Sequence, residues 1–172
     1  MDNFIKALER SIETENWYSA LFISLTIPDI CGKIDEPNES SSKKRTINWF
    51  DKYLLKTYTI NSRGQDVVFL NGSDFYSLRC SYLHEGRDDI SEQRAREVLN
   101  KFRFVQPIRN GVVIHKNLVR DTLQLQVDQF ANEILNAVKL WNHEAVLHKE
   151  KQIYIDKMLD IEMVDMSKGF FL

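Results

Sequence analysis

Glycine and proline number only 6 and 3 among 172 residues, well below the roughly 12% of average usage. A turn-dense β-sandwich is therefore not expected. The two cysteines, Cys31 and Cys80, are too few for a disulfide framework. Charge of one sign is also missing. Lys and Arg total 23 against 25 Asp and Glu, a net charge of −2, so the chain lacks the general pull on nucleic acid of a strongly basic domain. Any RNA contact must come from a local patch. Long apolar runs are absent as well: stretches such as Ala20-Leu21-Phe22-Ile23 fall far short of the about 20 residues a membrane span needs. The start, Met1-Asp2-Asn3-Phe4, carries an acid where a signal peptide has a basic stretch, and a cytoplasmic protein without membrane association is expected. Gly-x-Gly-x-x-Gly, a phosphate loop and Gly-x-Ser-x-Gly are all lacking, which argues against dinucleotide, P-loop and serine-hydrolase chemistry.

What is present is ordinary globular material, 43% hydrophobic and 28% charged, enough for one compact, mainly helical domain. Phe4, Ile5, Leu8 and Ile12 recur at helical spacing, and Trp17, Leu21, Phe22 and Leu25 resume the stripe, so one long or two abutting helices are expected. Pro28 should kink the second near Ile27, and the polar run from Asp35 to Ser42 should end it. A helix from about Ser42 through Leu54 follows, and residues 61–66 read as a loop. Asn71-Gly72-Ser73 offers an N-cap for a short helix closed by Gly86.

The period then changes. Phe102 and Phe104 alternate with charges, Asn110-Gly111 is a two-residue hairpin signal, and Val112 to Leu118 continues as the return strand. Residues 122–127 alternate again and fit a third strand. A small antiparallel hairpin or meander is thus expected at about 101–127, before a long helix capped by Asp128 with Phe130, Ile134, Val138, Trp141 and Ala145 on one face. The main domain is placed at 1–148. The segment 149–172 follows neither period, and its role is open.

The short helix reads Ser73-Asp-Phe-Tyr-Ser-Leu-Arg79-Cys-Ser-Tyr-Leu-His84-Glu-Gly86. At about 100° per residue, Phe75, Leu78, Tyr82, Leu83, Tyr76 and Cys80 form a broad apolar arc with Arg79 near its middle. A guanidinium in such an arc pairs with a carboxylate, lies at a subunit interface, or is held for an anionic ligand. His84 lies at the arc's edge, near the helix C-terminus, where the dipole favours imidazolium; taken alone, it also fits an ordinary surface histidine.

Arg79-Cys-Ser-Tyr-Leu-His84, in the context Leu78 to Gly86 of a helical bundle, resembles the R-x4-6-H motif of the HEPN superfamily. The resemblance covers most of 1–148 but not the hairpin or the tail. It implies a helical bundle acting as a homodimer, with the motif helices facing one another, and a metal-independent endoribonuclease in a toxin–antitoxin or phage-defence setting. The partners implied are a second copy, RNA and an antitoxin, without a metal or other cofactor. Arg79 and His84 become the candidate catalytic residues, and Ser81, Lys43, Lys44 and Arg45 candidate substrate contacts. Ribonuclease members commonly carry a polar residue after the arginine, where Cys80 stands here. An inactive HEPN-like dimer that binds a partner is the alternative.

The chemistry suits these residue types. Attack by a ribose 2′-hydroxyl needs a proton acceptor, a donor for the leaving oxygen and a cation against the charge developing on phosphorus. Five residues separate the two side chains by about 140° on a helix, so convergence through two copies is the natural geometry. Arg109 and His115 satisfy the same spacing but straddle the expected Asn110-Gly111 turn. His143-Glu144-Ala-Val-Leu-His148 misses the zinc-protease spacing by one residue, and its imidazoles would diverge.

Overall fold

The structure, a computed structural model, describes residues 1–161. Their order is α1 (Asp2–Glu13), α2 (Trp17–Asp35), α3 (Ser42–Tyr53), β1 (Thr59–Ser62), β2 (Gln65–Val68), α4 (Gly72–Glu85), β3 (Lys101–Val105), β4 (Asn117–Val119), β5 (Thr122–Gln126), α5 (Val127–Ala145) and α6 (Lys149–Ile155). The fold is mainly helical with small sheets, as expected. The first stripe divides into two abutting helices because the chain turns at Glu15, at φ 53°. Asn16 caps the second helix by accepting from the Ser19 N–H at 3.2 Å.

Helix α2 is the centre of the bundle and packs on α1, α3 and α5, while α3 carries α4. The sequence explains the position. Ala20, Leu21, Leu25, Ile27, Cys31 and Ile34 are all buried, and a helix apolar on several sides belongs in an interior. It runs through Pro28 to Asp35, so the residues after the proline remain helical. Trp49, Phe50, Phe75, Phe130 and Trp141 fill the core, with Phe50 and Phe75 stacked at 4.5 Å between ring centroids. Each such buried side chain contributes about 1.5–3 kcal/mol of hydrophobic free energy. Where α3 meets α4 the backbones nearly touch: a Cβ on Gly72 would lie 2.8 Å from the Ile47 backbone.

The sheets differ in detail from the sequence reading. Residues 61–66, read as a loop, belong to a β1–β2 hairpin turning at Arg63-Gly64, both with positive φ, as a primed two-residue turn requires. Gly111 does turn, at φ +76°, but no strands flank it. The hairpin turns instead at Arg120-Asp121, joining β4 to β5, and β3 pairs with β5 in parallel. Residues 112–116 are not a return strand. They are held by side chains: the Ile114 N–H donates to the Gln126 Oε1 at 3.3 Å, and His115 meets Glu133 at 3.1 Å. The parallel pairing aligns Phe102 with Leu123 and Phe104 with Leu125, so one apolar face covers the bundle, and Phe104 packs edge-on against Phe130 at 5.4 Å. Strand β5 runs directly into α5, whose N-cap is Gln126 rather than Asp128.

Helix α6, in the segment whose role was open, docks on α2. Asp35 accepts both the Trp141 Nε1–H at 3.0 Å and the Lys151 Nζ at 2.7 Å. The rest of that segment, 162–172, lies outside the described residues. Among the described residues no helix is long and apolar enough to cross a membrane.

Candidate functional site

Helix α4 is built as its sequence suggests. The Asn71 Oδ1 accepts from the Asp74 N–H at 2.9 Å, and Gly86 closes the helix at φ 67°, the left-handed conformation glycine adopts without strain. Asp74 is buried and clamps the following loop, accepting from the Glu97 N–H at 2.7 Å and from those of Val98 and Leu99 at 3.3 Å.

The apolar arc of α4 divides in two. Phe75 and Leu78 are fully buried, whereas Tyr76, Cys80 and Leu83 are only half-buried and form an outer strip. Arg79 lies on the boundary. Its Nη2 meets the Asp29 Oδ2 at 3.1 Å, and Arg45 of α3 meets the Asp29 Oδ1 at the same distance. The Ser42 hydroxyl donates to the Asp29 Oδ2 at 2.8 Å, and the Arg45 Nη1 to the Glu39 carbonyl at 2.8 Å. These side chains are only 11–16% exposed, so water screens them little. Two guanidiniums share one carboxylate, which leaves the cluster with one excess positive charge. Both Nε atoms are buried without a partner. Burial, with Cys80 beside it, pushes the Tyr76 hydroxyl up, so it stays neutral next to Arg79.

His84 lies five residues further along, exposed in the last turn. The outer strip separates it from Arg79, and one chain therefore does not bring the two together. The other candidates are placed differently. Ser81 is buried and donates its hydroxyl to the Asp89 carbonyl at 2.7 Å, so its oxygen braces the loop and faces no substrate. Arg45 is equally buried in the Asp29 cluster. Lys43 and Lys44 are exposed, Lys44 beside Glu39 at 3.5 Å. His143 lies in the last turn of α5, whereas His148 is the N-cap residue of α6 and faces Glu150 at 3.5 Å.

Sequence reasoning missed Asp29, which is 50 residues from Arg79. An arginine in an apolar arc announces a partner, but nothing local indicates which acid supplies it. A second cluster also went unread. Glu133 holds His115 at 3.1 Å and Lys116 at 2.5 Å, and Lys116 lies 4.8 Å above the Tyr58 ring. Burial works against ionisation of Glu133, but these partners outweigh it and keep the carboxyl below its usual range. Comparison with known proteins finds no family model, no curated protein and no solved structure that matches this chain.

Proposed function

We propose that the chain is a metal-independent endoribonuclease of HEPN type that works as a homodimer through Arg79 and His84. One observation carries the reading. Arg79 is pre-oriented by Asp29 at one edge of the half-exposed strip Tyr76, Cys80 and Leu83, and the exposed His84 lies at the other edge. A second copy packed across that strip supplies the convergence that a single helix cannot. Phe22, 53% exposed on α2, lies seven residues before Asp29 and therefore on the same face of that helix.

In this reading one His84 takes the proton from a ribose 2′-hydroxyl as its oxygen attacks phosphorus, and the partner's His84 protonates the departing 5′-oxygen. The guanidinium of Arg79 faces the charge building on the phosphoryl oxygens. The products are a 2′,3′-cyclic phosphate and a free 5′-hydroxyl. Lys43 and Lys44 are the remaining candidates for phosphate contacts, and a toxin–antitoxin or phage-defence setting with an antitoxin partner belongs to the same proposal. The test is a single-stranded RNA incubated with the protein in EDTA. Cleavage should stop with His84→Ala or with a 2′-deoxy nucleotide at the scissile position, and should persist in His143→Ala. Cleavage of DNA, or cleavage undiminished in His84→Ala, overturns the proposal.

A second reading has its own observation. Asp29 already satisfies part of Arg79, and Cys80 occupies the position where ribonuclease members are polar, which favours an inactive dimer that binds a partner. A well-folded dimer that cleaves no RNA decides for it.

A further inference from the structure

A pocket of about 520 Å³ opens beside the C-terminal end of α4, within the roughly 300–1,000 Å³ typical of small-molecule sites. Three separate elements meet there: Trp17 and Tyr18 from the first turn of α2, Tyr82 from the last turn of α4, and Phe104 from β3. Trp17, Tyr82 and Phe104 are half-buried against the core yet each also lines the opening, and Tyr18 is 80% exposed. We infer that this pocket binds an unpaired nucleobase, stacked between the aromatic rings, with the attached phosphate towards Arg87 at the rim.

The polar groups argue for a neutral planar heterocycle. Among the described residues, the Tyr18 and Tyr82 hydroxyls, the Trp17 Nε1–H and the Gln106 amide accept and donate no hydrogen bond within the chain. Gln106 alone supplies two donors and an acceptor, the set that reads a base edge. The N–H of Phe102 donates to the Asp88 carbonyl on the side of β3 away from β5. By strand alternation the backbone amide and carbonyl of Phe104 face that same edge, two residues nearer the pocket's end.

Aromatic rings also hold organic cations by their faces, a ligand the tetramethylammonium control tests directly. Of the two acids on the lining, one is engaged by hydrogen bonds and the other only by a loose ion pair. Asp89 accepts from the Ser91 N–H at 2.8 Å and the Ser91 hydroxyl at 2.6 Å, and Asp88 faces Lys101 at 3.6 Å. Arg87 is 65% exposed and held only loosely by Glu85, at 3.6 Å, which leaves its guanidinium free to turn to a phosphate. Stacking on aromatic side chains contributes about 1–3 kcal/mol per base and tolerates any base.

This inference goes beyond the ribonuclease reading and is measured without cleavage. Trp49 and Trp141 are buried, so quenching of tryptophan fluorescence by added ligands reports on Trp17. The full-length chain is titrated with adenosine, guanosine, cytidine and uridine 5′-monophosphates, with the corresponding nucleosides and with a short single-stranded 2′-O-methyl oligoribonucleotide, which has no 2′-hydroxyl to attack phosphorus. Ribose 5-phosphate and tetramethylammonium are the controls. Saturable quenching by a mononucleotide identifies free nucleotides as sufficient, whereas saturation by the oligomer alone identifies the base of a strand. Either result supports the pocket, and ribose 5-phosphate should be inert. Tyr82→Ala should weaken binding about tenfold or more, and Tyr82→Phe should retain most of it. Arg87→Ala should weaken the nucleotide but not its nucleoside. His84→Ala, outside the pocket, should bind like the native chain even where it no longer cleaves, so failure of the catalytic reading and failure of this one are separable. Quenching by tetramethylammonium in place of the nucleotides, no saturable quenching by any of them, or unchanged binding in a Tyr82→Ala chain that melts normally overturns the inference.

Discussion

Asp29→Asn is the perturbation with the clearest consequence. The aspartate answers two guanidiniums at once, each at 3.1 Å and each only 11–16% exposed, and Asn removes the charge while keeping a similar shape. Breaking a fully buried pair costs about 3–5 kcal/mol, and an exposed pair is worth about 0.2–1 kcal/mol. At this exposure, with two cations stranded, a loss of about 2–3 kcal/mol follows. A chain of this size shifts its melting temperature by about 2–4 °C per kcal/mol, so circular dichroism should show a fall of about 5–10 °C. Adding Arg79→Gln to Asp29→Asn removes one stranded cation and should recover part of the loss, which makes the double change smaller than the sum of the single ones. Lys44→Ala, which touches only the exposed pair with Glu39, is the control and should melt like the native protein. A melting temperature for Asp29→Asn within about 2 °C of native, the range of an ordinary surface change, or strict additivity with Arg79→Gln, would refute the argument.

Gly72→Ala should destabilise by about 1–3 kcal/mol, because its Cβ would meet the Ile47 backbone at 2.8 Å and the Asp51 carboxylate at 2.9 Å; a native urea midpoint would show that α3 and α4 can separate at no cost. Glu133 ionises more readily in the folded chain than in the unfolded one, since His115 and Lys116 hold its carboxylate. Its contribution is therefore fully present above the unfolded carboxyl value of about 4.3 and is lost as pH falls through the lower folded value. The difference in stability between the native chain and Glu133→Gln should be largest near neutrality and shrink below about pH 4; a gap that is constant with pH, or grows on acidification, contradicts the assignment.

Local features of this chain could be read from the sequence because their causes lie within a few residues. The helices of the bundle follow from apolar spacing, α4 is bounded by its Asn71 cap and left-handed Gly86, and the apolar arc that contains Arg79 follows from its 100° increments. The division of that arc into a buried half and an outer strip, with Arg79 on the boundary, came instead from packing. The sheet did not yield in the same way. Asn110-Gly111 carries the stronger turn signal, yet Arg120-Asp121 forms the hairpin and β3 joins β5 in parallel. That choice depends on which arrangement sets Phe102, Phe104, Leu123 and Leu125 against the bundle together, a property of the assembled layers. The site divides along the same line. That Arg79 needs a partner is a statement about a charge in an apolar arc, legible from one helix. That the partner is Asp29, shared with Arg45, required α2 to continue past Pro28 and to pack where α3 and α4 meet. The pocket at the end of α4 likewise draws on α2, α4 and β3. Spacing along a chain determines which face a residue occupies, and only the packing of one element on another determines what that face meets.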